Sequence, residues 1–91
     1  MPLLDEGAVD AALQELAWHR AGDVLVKEVV REDFAEAMGF VNEVAGLAEA
    51  ANHHPDIDIR WNTVTLHLST HSAGGLTEKD VALARQIDGL G

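Results

Sequence analysis

Hydrophobic residues in this chain switch repeatedly between helical and strand spacing, and this alternation restricts the fold more than any other feature of the sequence. Residues 6 to 17, 34 to 52 and the stretch after residue 77 carry apolar side chains at intervals of three and four, the spacing of one helix face. Between them, residues 18 to 21 form a short extended candidate, residues 22 and 23 a turn, and residues 24 to 30 are rich in β-branched side chains; residues 57 to 61 and 64 to 68 alternate apolar with polar positions. Both stretches predict a hairpin. The predicted order is therefore α-β-β-α-β-β-α.

Turn and cap signals support these boundaries. Pro55 forbids continuation of the second helix, Asp33 precedes it as a cap, and Thr77 with Asp80 has the spacing of a capping box for the third. Strand pairs joined by short turns predict an α+β fold, a four-stranded antiparallel sheet with three helices packed on one face. No linker divides the chain, so residues 1–91 are expected to form a single domain.

Composition excludes several classes of function. The chain has no cysteine, which removes disulfides, thiolate nucleophiles and thiolate-ligated metals. Its formal charge of -10 opposes binding to phosphate backbones and anionic lipids, so we expect neither nucleic acid nor a membrane as a partner. The first residues turn acidic at once without a basic start or an apolar run, which favours a cytoplasmic protein with no signal peptide.

The side chains suited to chemistry are concentrated in the second half, where four of the five histidines lie between positions 53 and 71. Taken alone, His53 and His54 could simply meet the last carbonyls of a helix. A zinc site is a second alternative, although neighbouring ligands and the absence of a His-x-x-x-His spacing argue against it. Trp61 is equally compatible with the core and with the wall of a ligand site.

The spacing of these residues resembles that of the pterin-4a-carbinolamine dehydratases. That family shares an acidic residue, three intervening positions, His-His-Pro, an aromatic residue, a histidine and an aspartate, here Glu49, His53-His54-Pro55, Trp61, His71 and Asp80. The likeness is strong over residues 32 to 88 and looser before them. Trp61 stands where many members have tyrosine, which keeps a flat ring and removes a hydroxyl.

The resemblance implies a hydro-lyase that dehydrates 4a-hydroxytetrahydropterin to quinonoid dihydropterin, thereby recycling the cofactor of aromatic amino acid hydroxylases. It implies His53, His54 and His71 as the catalytic set, with His53 and His71 as the acid/base pair and His54 orienting the pterin. Imidazole suits both roles, since its unperturbed pKa is about 6.5. Glu49 and Trp61 are expected to bind substrate, and Glu49, four residues before His53, could alternatively orient that ring.

The same resemblance implies no metal and no cofactor, because the pterin is the substrate. It also implies a homodimer built by joining sheets, or a homotetramer of two such dimers. Some relatives of this fold act as binding modules, and retention of all three histidines favours catalysis over that alternative. Asp80 is expected to act chiefly as a helix cap.

Overall fold

The computed structural model describes residues 2–91. It contains the predicted elements in the predicted order, with a short 3₁₀ turn added before the last helix. Their bounds are α1 Glu6–Glu15, β1 His19–Ala21, β2 Val24–Val30, α2 Phe34–Ala51, β3 Asp56–Arg60, β4 Thr63–Leu68, the 3₁₀ turn His71–Ala73 and α3 Glu78–Asp88. The first helix ends two residues before the predicted boundary, and the fold class is confirmed.

The four strands form one antiparallel sheet in the order β1-β2-β4-β3. Each hairpin closes with two residues between its last paired positions, Ala21 with Val24 and Arg60 with Thr63. The central pair, β2 with β4, is in register from Leu25 opposite Leu68 to Val30 opposite Thr63. Because side chains alternate across a strand, this register points one apolar row of each central strand toward the helices.

The core lies between that face of the sheet and the helices. Val64, Leu66 and Leu68 of β4 are fully buried there and join Leu25 and Val29 of β2 in one cluster. The helices contribute apolar side chains at helical spacing, among them Val9, Phe40, Val44, Leu83 and Ile87. Trp18, predicted to be a packing residue, is buried in the same cluster.

The helices begin at side-chain caps. Asp5 accepts a hydrogen bond from the Ala8 N–H, and Asp33 accepts one from the Glu36 N–H. At α3 the predicted capping box is confirmed, because Asp80 accepts from the Thr77 N–H while the Thr77 hydroxyl oxygen caps the first turn. These bonds satisfy amide groups that have no partner inside the helix.

The edge strand β3 departs from the predicted pattern. Ile57 and Ile59 of this edge strand lie opposite Leu66 and Val64, on the helix-facing side of the sheet, yet they remain 36% and 37% exposed. Trp61 lies in the turn after β3 with φ 50°, a left-handed conformation that ends the strand. The apolar alternation of Ile57, Ile59 and Trp61 in the sequence instead predicts that Trp61 is part of the strand.

Candidate functional site

Two segments that are distant in the sequence meet beside the end of α2. One is the connection from α2 to β3, and the other runs from the end of β4 through the 3₁₀ turn to the first turn of α3. Between them lies a cleft of about 290 Å³. Its lining consists of Asn52, His53, His54, Ser69, Thr70, His71, Ser72 and Lys79. The cleft therefore unites all three histidines that the sequence predicts to be catalytic.

The left-handed backbone of Asn52 determines how the two adjacent histidines are presented. Asn52 caps α2 with φ 49°, a conformation that asparagine tolerates better than most residues. The amide of His53 turns back to donate to the Ala48 carbonyl at 3.1 Å. The chain then leaves the helix, so His53 and His54 are not on a helical surface and bind different partners.

The ring of His53 contacts a buried carboxylate, that of Asp80. Its Nε2 lies 2.6 Å from Oδ1 of Asp80, whose side chain is fully buried, while the His53 side chain is only 11% exposed. The other carboxylate oxygen of Asp80 accepts from the Thr70 hydroxyl at 2.8 Å and from the Thr77 N–H at 2.9 Å. Asp80 thus caps α3 and contacts His53 at the same time. The spacing of Thr77 and Asp80 in the sequence predicts only the first of these roles.

The hydrogen-bond directions around Asp80 follow from the available protons. The Thr70 hydroxyl has one proton, which goes to Asp80, so the Thr77 hydroxyl must donate to the Thr70 oxygen across their 2.8 Å contact. A carboxylate only accepts, so the ring of His53 donates from Nε2. When the ring is neutral, Nδ1 of His53 is then the nitrogen with a free lone pair.

Glu49 pairs with His54. One carboxylate oxygen of Glu49 lies 2.5 Å from Nε2 of His54, and both side chains are largely exposed. The alternative in which Glu49 orients His53 is wrong, because it required the helix to continue through residue 53. Asn52 ends the helix first, and the place beside His53 is taken by Asp80.

His71 opens the 3₁₀ turn on the opposite side of the cleft and is exposed. Within residues 2–91 its ring makes no hydrogen bond, so both nitrogens are available to a ligand. Trp61 is not among the residues lining the cleft. It lies at the far end of β3 from His54, about 16 Å away for a five-residue strand, and is 66% exposed.

In the part of the chain that the structure describes, no three histidine, aspartate or glutamate side chains converge as a metal site would need. The same residues include no helix that is both long and apolar enough to cross a bilayer. The cleft instead offers paired imidazoles, hydroxyls and one lysine. Fold and site together define a small α+β protein with a histidine-lined ligand cleft suited to proton transfer.

Comparison with known proteins identifies the family. The sequence profile described as pterin 4 alpha carbinolamine dehydratase matches residues 2–90. Relatives provisionally named pterin-4-alpha-carbinolamine dehydratases include one from Thermomicrobium roseum, 56% identical over 96% of this chain and 95% of that protein. One from Nocardia farcinica is 56% identical over 97% of this chain and 94% of its own length.

A solved structure described as a transcriptional coactivator/pterin dehydratase, from Brucella melitensis, superposes with a TM-score of 0.92 at 32% identity, covering 97% of both chains. A pterin dehydratase-like protein described as a RuBisCO assembly factor of the α-carboxysome gives a TM-score of 0.65 at 24% identity, over 82% of this chain and 87% of that one. The latter shows a shared fold alone. The chain belongs to the pterin 4 alpha carbinolamine dehydratase family.

Proposed function

We propose that this protein dehydrates 4a-hydroxytetrahydropterin to quinonoid dihydropterin by histidine acid/base catalysis. The observation that carries the proposal is the convergence of His53, His54 and His71 on one cleft, in a chain of this family. Such a reaction would return the oxidised cofactor of an aromatic amino acid hydroxylase to its recycling pathway. The reaction needs only acid/base help, because a ring nitrogen loses its proton, a double bond forms between that nitrogen and C4a, and the C4a–O bond breaks as the protonated hydroxyl leaves as water.

In this proposal His53 is the base and His71 the acid. The contact with Asp80 engages Nε2 of His53, so Nδ1 is the atom that takes the proton from the ring nitrogen of the pterin. His71, exposed on the other wall, donates a proton to the 4a-hydroxyl so that it leaves as water. His54, tethered by Glu49, orients the pterin, and Glu49 offers its carboxylate to the amidine-like edge of the ring.

Asp80 acts in this scheme as a positioning residue. A buried carboxylate beside an imidazole fixes the tautomer of the imidazole. It also stabilises the imidazolium that forms when the ring accepts a proton. Because Oδ2 already accepts two hydrogen bonds, Oδ1 has little freedom to turn away from His53. Trp61 remains a proposed substrate contact, and it lies outside the cleft of a single chain.

A stopped-flow assay on chemically generated 4a-hydroxytetrahydropterin tests the function. Wild-type protein should accelerate dehydration, and a His53→Ala, His71→Ala double variant should lose at least about 10²-fold of that acceleration, the usual value of an acid/base group. His67→Ala is the matched control, because His67 lies in β4 outside the cleft lining and should leave the rate unchanged. No acceleration by the wild type, or full activity in the double variant, would refute the proposal.

We further propose that two copies associate through β3. Its outer edge has no strand partner in residues 2–91, all five of its residues are exposed, and Ile57 and Ile59 are uncovered on the side where the core lies. Pairing two such edges would extend the sheet and bury those side chains. A homodimer is the expected species, or a homotetramer made of two such dimers.

A further inference from the structure

Lys79 differs from every other basic side chain of the protein. The remaining five cationic groups have partners at contact distance, whereas Lys79 makes no side-chain hydrogen bond or ion pair within residues 2–91. The partners are Glu6 for Arg20, Asp88 for Lys27, the Phe40 ring and Gly91 carbonyl for Arg31, Asp58 for Arg60, and Glu15 with Glu78 for Arg85. An unpartnered lysine in a chain of net charge -10 calls for a physical reason.

Helix stability does not supply that reason. Lys79 lies in the first turn of α3, where the helix dipole and the unpaired N–H groups disfavour a cation. The neighbouring first-turn residues, Glu78 and Asp80, have the favourable sign. The lysine therefore occupies a place that costs the helix stability, and it lines the cleft together with the three histidines.

Three acidic residues near the cleft in sequence or in space do not line it, and each contacts another side chain. Glu49 pairs with His54, Asp80 is buried against His53, and Glu78 lies 3.9 Å from Arg85. Salt screens the electrostatic effect of the more distant acidic residues on the cleft, because the screening length is about 8 Å under physiological conditions. The cleft lining contains no carboxylate, so a ligand bound there meets the ammonium group of Lys79 without an acidic side chain beside it in the lining.

We infer that Lys79 binds an anionic group on the side chain of the pterin, a phosphate or a carboxylate attached through C6, and that the protein prefers pterins that carry one. This inference rests on the proposed function, because it assigns the substrate class of the same cleft. The histidines engage the reacting ring, which leaves the ammonium group on its flexible stem for the substituent. The proposal also accounts for a cation in the first turn of α3.

The test compares three substrates with the same pterin ring and with neutral or anionic side chains at C6. 4a-Hydroxytetrahydropterins would be generated from tetrahydropterins with a neutral polyol at C6, its phosphate ester, or a carboxylate side chain, and kcat/KM measured for each. In wild type both anionic substrates should be favoured over the polyol. Lys79→Gln should lower the anionic-to-neutral ratio about fivefold, the size expected of a partly exposed ion pair, and Lys79→Arg should retain the preference.

Arg20→Gln is the matched control, because it removes the same charge from β1, at the other edge of the sheet and outside the cleft lining, and should leave the ratio unchanged. A response of the phosphate ester alone would identify phosphate as the ligand, and a response of both would identify a general anion site. If wild type dehydrates all three pterins while Lys79→Gln changes the ratio less than twofold, the inference is wrong and the proposed function stands. Failure of wild type on every pterin would instead refute the function.

Discussion

At the scale of single residues, Asp80 is one buried side chain that both caps a helix and contacts a histidine of the cleft. Its two carboxylate oxygens have different partners. Oδ2 caps α3 and accepts a hydrogen bond from Thr70, whereas Oδ1 contacts His53. The spacing of Thr77 and Asp80 predicts the cap, since a capping box is local in sequence. The contact with His53 spans 27 residues and depends on how α3 docks, which no local pattern encodes.

Asp80→Asn is expected to reduce kcat for pterin dehydration by about 10²-fold with a smaller change in KM. The amide cannot replace the carboxylate as partner of a protonated ring, and its N–H₂ group can reverse the tautomer of His53. Nitrogen NMR of the imidazole should show the proton on Nε2 in wild type and a shifted distribution in the variant.

The matched control for that prediction is Thr77→Ala, which removes hydrogen bonds from the same cap without touching His53. It should cost about 1 kcal/mol of stability in a urea titration while lowering kcat far less than Asp80→Asn. Equal losses of kcat in the two variants, with an unaltered His53 spectrum, would mean that Asp80 matters only as a structural cap.

At the scale of elements, the last residue of α3 joins three parts of the chain. Asp88 accepts hydrogen bonds at 2.9 Å from the Ala17 N–H, the Trp18 indole and the Lys27 ammonium. Ala17 follows α1, Trp18 precedes β1, and Lys27 lies in β2. Those partners are close in sequence to one another and about 60 to 70 residues from Asp88. The alternation of apolar residues predicts each element separately and says nothing of this junction.

Asp88→Ala should destabilise the protein by about 3 kcal/mol, because it removes hydrogen bonds that involve a charged acceptor and leaves the half-buried Lys27 unpaired. The measurement is the free energy of unfolding by urea. Glu43→Ala, which removes an exposed carboxylate from α2, should change it by no more than about 0.5 kcal/mol. A loss for Asp88→Ala as small as that of the control would show that the junction contributes little.

At the scale of the whole molecule, the alternating hydrophobic pattern was sufficient to predict the fold and insufficient at the sheet edge. Val24–Val30 is β-branched and flanked by turn residues, so its bounds were predicted correctly. Trp61 was placed in the strand because its apolar ring continues the alternation, whereas its backbone adopts φ 50° and ends the strand. Burial of Ile57 and Ile59 depends on what lies beyond the edge, which the pattern within one chain does not describe.

Replacing Ile57 and Ile59 with glutamate should convert the proposed dimer to monomers in light scattering, because two buried charges on each edge would oppose pairing. Val30→Glu serves as the control, since Val30 is an exposed apolar residue of an interior strand and should leave the assembly intact. A wild-type protein that is already monomeric, or a double variant with undiminished mass, would contradict association through β3.

The bond between His53 and Asp80 also bears on when the cleft can form during synthesis. His53 follows the second helix, but the carboxylate that holds it comes from the last one, together with the two threonines that fix that carboxylate. A nascent chain that lacks residue 80 therefore leaves His53 without this partner, whether or not its strands have paired. Ribosome-bound fragments ending before α3 should therefore be inactive, however much of the sheet they have formed.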